Sequence, residues 1–323
     1  MGARQSRQEE PCNEEKKRRF LNQKEKQQKR LETPWRETYS KWTPQYMKTL
    51  STEIRLFHIN TGTRGRRERE KVIANLLVLG PITAGKSAFI NSVLSISKGR
   101  LVRKACTVGY EFGSVTIKYS IYDSEGEVDN VRLHDTVGLM ENQDQGFNPQ
   151  NLIPLTDGHI KEEYVFQNNR GINESDPNYR QNSTRNDKIN CVVFVVDAST
   201  LDVLPYEYTQ KIRALQDILV PKGIPQVLIL AKCDKLCKLV NQNPADIFRS
   251  TLIEACVEYA ACRFGIQQSF IHPVVSHENR LDSGVHENVS IPILLALRQM
   301  VHFAGDYLEN GEQRERGSQV DEI

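Results

Sequence analysis

The sequence predicts an α/β fold, a mostly parallel sheet covered by helices on both faces, and three observations predict it. Ile73 to Leu79 is a short β-branched and Leu-rich run. After a glycine-bearing loop comes Ser87 to Ile96, where Phe89, Ile90, Val93 and Leu94 recur at helical spacing. Two alternating runs, Ser114 to Tyr122 and Val128 to His134, flank the turn-forming Asp123-Ser124-Glu125-Gly126 and read as an antiparallel hairpin. Three strand-and-helix units follow. Val192 to Val196 precedes a helix near Pro205 to Leu219, Val227 to Ala231 precedes one near Pro244 to Phe264, and Phe270 to Val275 precedes one near Ser290 to Leu308. Strands that alternate with helices make parallel sheets buried on both faces, and such sheets bind ligands beyond the carboxyl ends of their strands.

The rest of the chain reads differently. Residues 1 to 48 are rich in Glu, Lys, Arg and Gln, and Glu14 to Leu31 reads as a charged helix or as disorder, with no apolar face wide enough for a core. Residues 49 to 70 connect this arm to the domain at 71 to 310. Residues 141 to 190 are polar, carry several Gly and Pro and read as an insertion in which only Ile160 to Phe166 looks helical. Residues 311 to 323 read as a disordered tail.

Composition bounds the function. A net charge of +2 predicts no specific affinity for nucleic acid, although residues 1 to 30 hold ten Lys/Arg against five Glu. The seven cysteines form no C-x-x-C pair and follow no secretory signal, which points to the reducing cytoplasm. No apolar run approaches the roughly 20 residues that span a bilayer. The seven histidines lack metal-ligand spacing, and His134, His272 and His277 read as strand-end residues. Cys233 reads as a loop thiol and Cys237 as a helix-packing thiol.

The loop between the first strand and first helix carries the chemistry. Gly80-Pro81-Ile82-Thr83-Ala84-Gly85-Lys86-Ser87 fits the phosphate-loop pattern in the strand-loop-helix context it requires. Its glycines let successive N–H groups, as far as Ala88, turn around a phosphate, and the helix N-terminus adds its positive dipole end. Lys86 is placed to reach the β- and γ-phosphates, and Ser87 to ligate Mg²⁺. Asp135-Thr136-Val137-Gly138 ends the second strand of the hairpin as D-x-x-G, with Asp135 a ligand of Mg²⁺ through water and the Gly138 N–H directed at the γ-phosphate. Asp123-Ser124-Glu125-Gly126 also fits D-x-x-G but has an ordinary role in the turn.

The base is read elsewhere. Ala231-Lys232-Cys233-Asp234 follows a strand where [NT]-K-x-D is expected of a GTPase. A carboxylate at 234 accepts the N1–H and amino hydrogens of guanine, a donor pair that adenine lacks, and the Lys232 stem can lie over the purine. Ala231 departs from the pattern and lacks the polar side chain that ties this loop to the phosphate loop. Ser276 and His277 lie where a loop backbone supports guanine. Thr107 is the candidate for the third Mg²⁺ ligand, with Ser114 and Thr116 nearby. Leu139 stands where many small GTPases carry the Gln that orients water, so hydrolysis should be slow. An ATPase reading would make Asp197 a metal ligand at the end of Cys191 to Asp197; Asp135, directly after the hairpin, is better placed. These motifs predict a P-loop NTPase of the G-domain type holding GTP or GDP with Mg²⁺.

The sequence resembles the interferon-induced protein 44 family. The resemblance is carried by Leu76 to Pro81 leading into the phosphate loop, Asp157-Gly158-His159-Ile160 with Tyr164-Val165-Phe166, Cys191 to Ser199, and Val274-Val275-Ser276 followed by Leu294 to Met300. Pro34-Trp35-Arg36 resembles a segment that precedes the G domain in that family. The resemblance implies a cytoplasmic, interferon-inducible role in antiviral or immune responses, with GTP binding and little catalysis. Members often carry a further N-terminal domain.

Three functional readings follow: a switch that meets a protein effector as residues 100 to 113 and 135 to 150 respond to nucleotide, a scaffold with a degenerate G domain, and a weak GTPase whose homodimer supplies catalysis. Met1-Gly2-Ala3-Arg4-Gln5-Ser6 also fits the myristoylation pattern, with Gly2 acylated and Arg4, Arg7, Lys16, Lys17, Arg18 and Arg19 as a basic patch for a membrane surface.

Overall fold

A computed structural model of the chain describes residues 11–320 apart from 27, 39, 62–67, 106–117, 142–145, 168–169 and 278–283. Thr107, Ser114, Thr116 and Gly2 lie outside the described residues. In chain order the elements are α1 (Pro11–Glu25), α2 (Pro44–Arg55), β1 (His58–Thr61), β2 (Glu68–Lys71), β3 (Ala74–Leu79), α3 (Lys86–Lys98), β4 (Ser120–Asp123) and β5 (Val131–Asp135). They continue as α4 (Leu152–Thr156), β6 (Cys191–Asp197), α5 (Tyr206–Lys222), β7 (Gln226–Ala231), α6 (Cys233–Leu236), α7 (Lys238–Gln242), α8 (Thr251–Phe264), β8 (Ile271–Pro273) and α9 (Glu287–Val320).

Six strands form the main sheet in the order β4-β5-β3-β6-β7-β8. Only β4 runs antiparallel to its neighbour, through the hairpin whose register pairs Ile121 with His134. This is the expected α/β fold. β1 and β2 make a separate antiparallel ribbon.

The central strands are apolar throughout because both sheet faces are covered, and alternate residues serve opposite layers. Leu77, Leu79, Phe194, Val196, Leu228 and Leu230 pack with Ile212, Leu215 and Leu219 of α5 and with Leu252 and Phe264 of α8. Leu76, Val78, Val193, Val195 and Ile229 pack with Phe89 and Ile90 of α3, Leu50 and Ile54 of α2, and Leu294 and Leu297 of α9. The helix expected from Pro244 begins as a 3-10 turn, Pro244–Arg249, and α8 starts afresh after Ser250, whose hydroxyl accepts from the Ile253 amide as its N-cap.

Four readings of the elements change. The segment Ile160 to Phe166 is not helical but a turn at Glu162 and Glu163 between two single bridges. Ile160 bridges Tyr179, Val165 bridges Lys118, and Glu163 sits at φ 68°, which no α-helix tolerates. The one α-helix among the described residues of the insertion is α4, where Leu152 and Leu155 join Phe147, Tyr164 and Phe166 in the core, so this polar stretch contributes packing as well as loop. The charged arm also docks. Phe20 is fully buried and stacks on Tyr259 at 5.7 Å, while Lys16 and Arg19 pair with Glu258 and Lys24 with Asp202. One aromatic and a set of ion pairs replace the wide apolar face that periodicity looks for. Finally, α9 continues past Leu308 to Val320, through most of the expected tail.

Among the described residues no helix is long and apolar enough to cross a membrane, and no group of three or more His, Cys, Asp or Glu could hold a metal. Cys233 is buried, with its Sγ 3.2 Å from the Leu230 carbonyl, so it is a packing thiol rather than a loop thiol.

Candidate nucleotide site

Register brings the motif residues to one edge. β3 pairs Val78 with Asp135 of β5 on one side and Leu79 with Phe194 of β6 on the other, and β6 pairs Asp197 with Ala231 of β7. The carboxyl ends of four strands therefore deliver the phosphate loop, Asp135, Asp197 and the Lys232 loop to the same crevice. The strand order reverses at β3, the position where open α/β sheets bind ligands.

The phosphate loop is wound as its motif requires. Gly80 has φ 154°, and a Cβ there would lie 2.1 Å from the Val195 carbonyl oxygen, so no side chain fits. Thr83 at φ 64° and Gly85 at φ 104° turn the chain into α3. Lys86 is buried, and its Nζ donates to the Gly80 and Pro81 carbonyls at 3.1 and 3.0 Å, which folds the ammonium back over the loop. Ser87 and Ala88 stand half-buried in the first turn of α3.

Asp135 and Gly138 face this loop. Asp135 is buried, and its Oδ1 has no hydrogen-bond partner. Burial pushes its carboxyl up to about 6 against the opposing pull of Lys86 and the Thr136 amide, and burial pushes Lys86 down to about 8 against the pull of Asp135. A Cβ at Gly138 would stand 3.0 Å from Lys86 Nζ and 2.7 Å from Ile82 Cγ1, so the loop approaches the lysine on glycine alone. The Leu139 amide donates to the Gly80 carbonyl at 2.9 Å, the Ile82 amide to the Leu139 carbonyl at 3.1 Å, and the Phe147 amide to the Gly138 carbonyl at 3.1 Å. Leu139 itself is fully buried in the core.

The loop after β7 comes next. Lys232 sits at φ 58°, and its Nζ donates to the Thr83 carbonyl and, at 2.7 Å, to Asp197 Oδ2. Asp234 is half-buried in the first turn of α6. The Cys233 amide donates to the Val274 carbonyl at 3.3 Å, which joins this loop to the one bearing Ser276. Ser276 is half-buried. His277 turns inward, its amide donating to Ser92 Oγ at 3.1 Å and its Nε2 lying 3.2 Å from Ser290 Oγ. That backbone N–H is engaged by α3. His134 and His272 are buried too, bonded to Tyr119 and Gln299, and burial holds them down to about 3 and about 4.

Asp197, which the sequence suggested only as an alternative metal ligand, is brought to Lys232 by the fold. The sequence marks it only as the end of a strand-like run, with no signal that ties it to Lys232.

No protein-family model matches the chain. It is 29% identical to interferon-induced protein 44 of Mus musculus over 239 residues, 73% of this chain and 56% of that protein. It is likewise 29% identical to the Homo sapiens protein over 252 residues, 77% of this chain and 56% of that one. The chain is similar to interferon-induced protein 44. The resemblance read from the motifs is thereby borne out, and it extends to human interferon-induced protein 44-like at 28% identity, over 75% of this chain and 54% of that one. The chain spans about half the length of these curated relatives. Among solved structures, a probable GTP-binding protein engB aligns at TM-score 0.37 and 15% identity, covering 70% of this chain and 100% of that one. A SAR1 GTPase of Encephalitozoon cuniculi in complex with GDP aligns at TM-score 0.38 and 13% identity, covering 84% and 89%.

Proposed function

We propose that this chain binds GTP and GDP with Mg²⁺ and hydrolyses GTP slowly or not at all, serving a protein partner in an interferon-linked response in the cytoplasm. The observation that carries this reading is the pairing of an inward-folded Lys86 with a buried Asp135 that has an open oxygen. Each charge lacks solvent, and a phosphate and a divalent cation are the groups that satisfy both. The site therefore fits Mg²⁺, with Ser87 and Asp135 to hold it, and the ion supplies charge neutralisation for the phosphates. Lys86 binds the β- and γ-phosphates, the loop amides orient them, and Asp234 accepts from guanine under the Lys232 stem. The interferon link comes from the named relatives, which exceed this chain in length.

A second reading has its own observation. The D-x-x-G loop is stitched to the phosphate loop through Leu139 and to the insertion through Phe147, so it is built as a fixed wall rather than a free switch. That favours a constitutive nucleotide-holding scaffold. Calorimetric titration of GDP, GTP and ATP into nucleotide-free protein tests the main reading, which falls if guanine and adenine nucleotides bind alike. Amide exchange of residues 136 to 147 in the GDP and GTP-analogue states tests the second, which falls if exchange there changes strongly between the two.

A further inference from the structure

We infer that Asp197 is a positioning residue for the base-reading loop: acting through Lys232, it ties the loop that carries Asp234 to the phosphate loop. This deepens, and for its nucleotide consequence rests on, the proposal of guanine-nucleotide binding. The need for such a tie arises in the sequence. Residue 231 is the place from which a polar side chain would cross to the phosphate loop, and it is an alanine. A methyl group makes no hydrogen bond.

The geometry shows what holds the loop instead. Asp197 ends β6 directly opposite Ala231 at the end of β7. Its Oδ1 accepts from the Ser199 amide at 2.9 Å and from the Ser199 hydroxyl at 2.6 Å, so the carboxylate is oriented by the turn that follows its own strand. Its Oδ2 accepts from Lys232 Nζ at 2.7 Å. The same ammonium donates to the Thr83 carbonyl of the phosphate loop. Three segments, the end of β6, the phosphate loop and the start of α6, thus meet at one nitrogen.

Two further features favour a positioning role over a surface ion pair. The side chains of Lys232 and Asp197 are only 23% and 15% exposed, so the pair is shielded more than a typical surface pair. The loops are also closely apposed at this point: a Cβ on Gly85 would lie 3.1 Å from the Ala231 Cβ and 3.8 Å from the Lys232 Cε. An alanine at 231 permits that approach, and the tie between the loops runs through Lys232, with Asp197 as its anchor. A metal role for Asp197 is disfavoured because both of its oxygens are engaged, whereas Asp135 keeps one open.

The test has two arms, both on the full chain. In nucleotide-free protein, Asp197→Asn should speed amide exchange across residues 231 to 237 at least about tenfold, with β5 unchanged. Lys232→Met should reproduce this, which guards against a folding defect peculiar to one variant. Unchanged exchange in both variants overturns the inference. In the second arm, Asp197→Asn should weaken GDP about tenfold, a ratio worth about 1.4 kcal/mol, while inorganic pyrophosphate with Mg²⁺ binds within about twofold. Equal loss for GDP and pyrophosphate also overturns it, by making Asp197 a support of the phosphate loop alone. A wild-type protein that binds no GDP sinks the proposed function, and the exchange arm still decides the tie.

Discussion

Lys86 and Asp135 each hold a charge that burial opposes. Lys86 is lowered from 10.5 to about 8, so its contribution to folding is present above pH 10.5 and lost as pH falls through about 8. Asp135 is raised from 3.8 to about 6, so its contribution is present below pH 3.8 and lost as pH rises through about 6. Near neutrality both are charged at a cost that a bound phosphate and cation would relieve. We predict that GDP binding takes up a proton above pH 8, with affinity falling by up to about tenfold per pH unit from there. Calorimetry in buffers of different ionisation enthalpy reads this directly, and a constant affinity from pH 7 to 9.5 contradicts it. Asp234 makes a different prediction, since an amide donates where a carboxylate only accepts. Asp234→Asn should shift preference from GTP towards xanthosine triphosphate, as measured by competition, and a variant with unchanged preference removes Asp234 from base reading.

Among the elements, the D-x-x-G loop and α1 behave least as their sequences suggest. Leu139 stands at the position of a water-orienting Gln, but its side chain is fully buried. Leu139→Gln should therefore leave turnover at or below the order of 10⁻⁴ per second known for intrinsic Ras-like hydrolysis. It should also cost about 2–4 kcal/mol of stability by burying an amide in an apolar site. Single-turnover hydrolysis and denaturant unfolding check the two halves, and a faster variant would show that position 139 can reach the nucleotide. For α1 the anchor is Phe20 against Tyr259. Phe20→Ala should cost about 3 kcal/mol of docking energy, seen as protease cleavage between residues 14 and 31 while the sheet stays protected. Equal resistance in both proteins would mean that the ion pairs to Glu254 and Glu258 suffice.

For the whole molecule, ligand and fold are linked because the crevice exists only when four strand ends are in register. Mg²⁺-GDP at about 100 times its dissociation constant should add about 2.7 kcal/mol of stability by mass action. Thermal unfolding with and without a chelator reads this out, and a melting temperature indifferent to guanine nucleotide would support a nucleotide-independent scaffold.

The sheet, its strands and its phosphate loop were legible because their signals are local: apolar runs of strand length, a helical repeat after a glycine loop, and motif residues at fixed spacing. So were the places of Lys86, Asp135 and Lys232, since Lys86 opens the helix after the glycine loop, Asp135 closes a strand and Lys232 follows one. Long-range packing decided the rest. The docking of Phe20 joins residues 239 positions apart, the core role of Leu152 and Phe147 depends on a sheet that covers them, and the inward turn of His277 depends on Ser92. Asp197 is the clearest case. Its sequence neighbours mark a strand end and nothing more, and only the adjacency of β6 to β7 brings it to Lys232, because a side chain's partner is set by which strands lie side by side and not by its place along the chain.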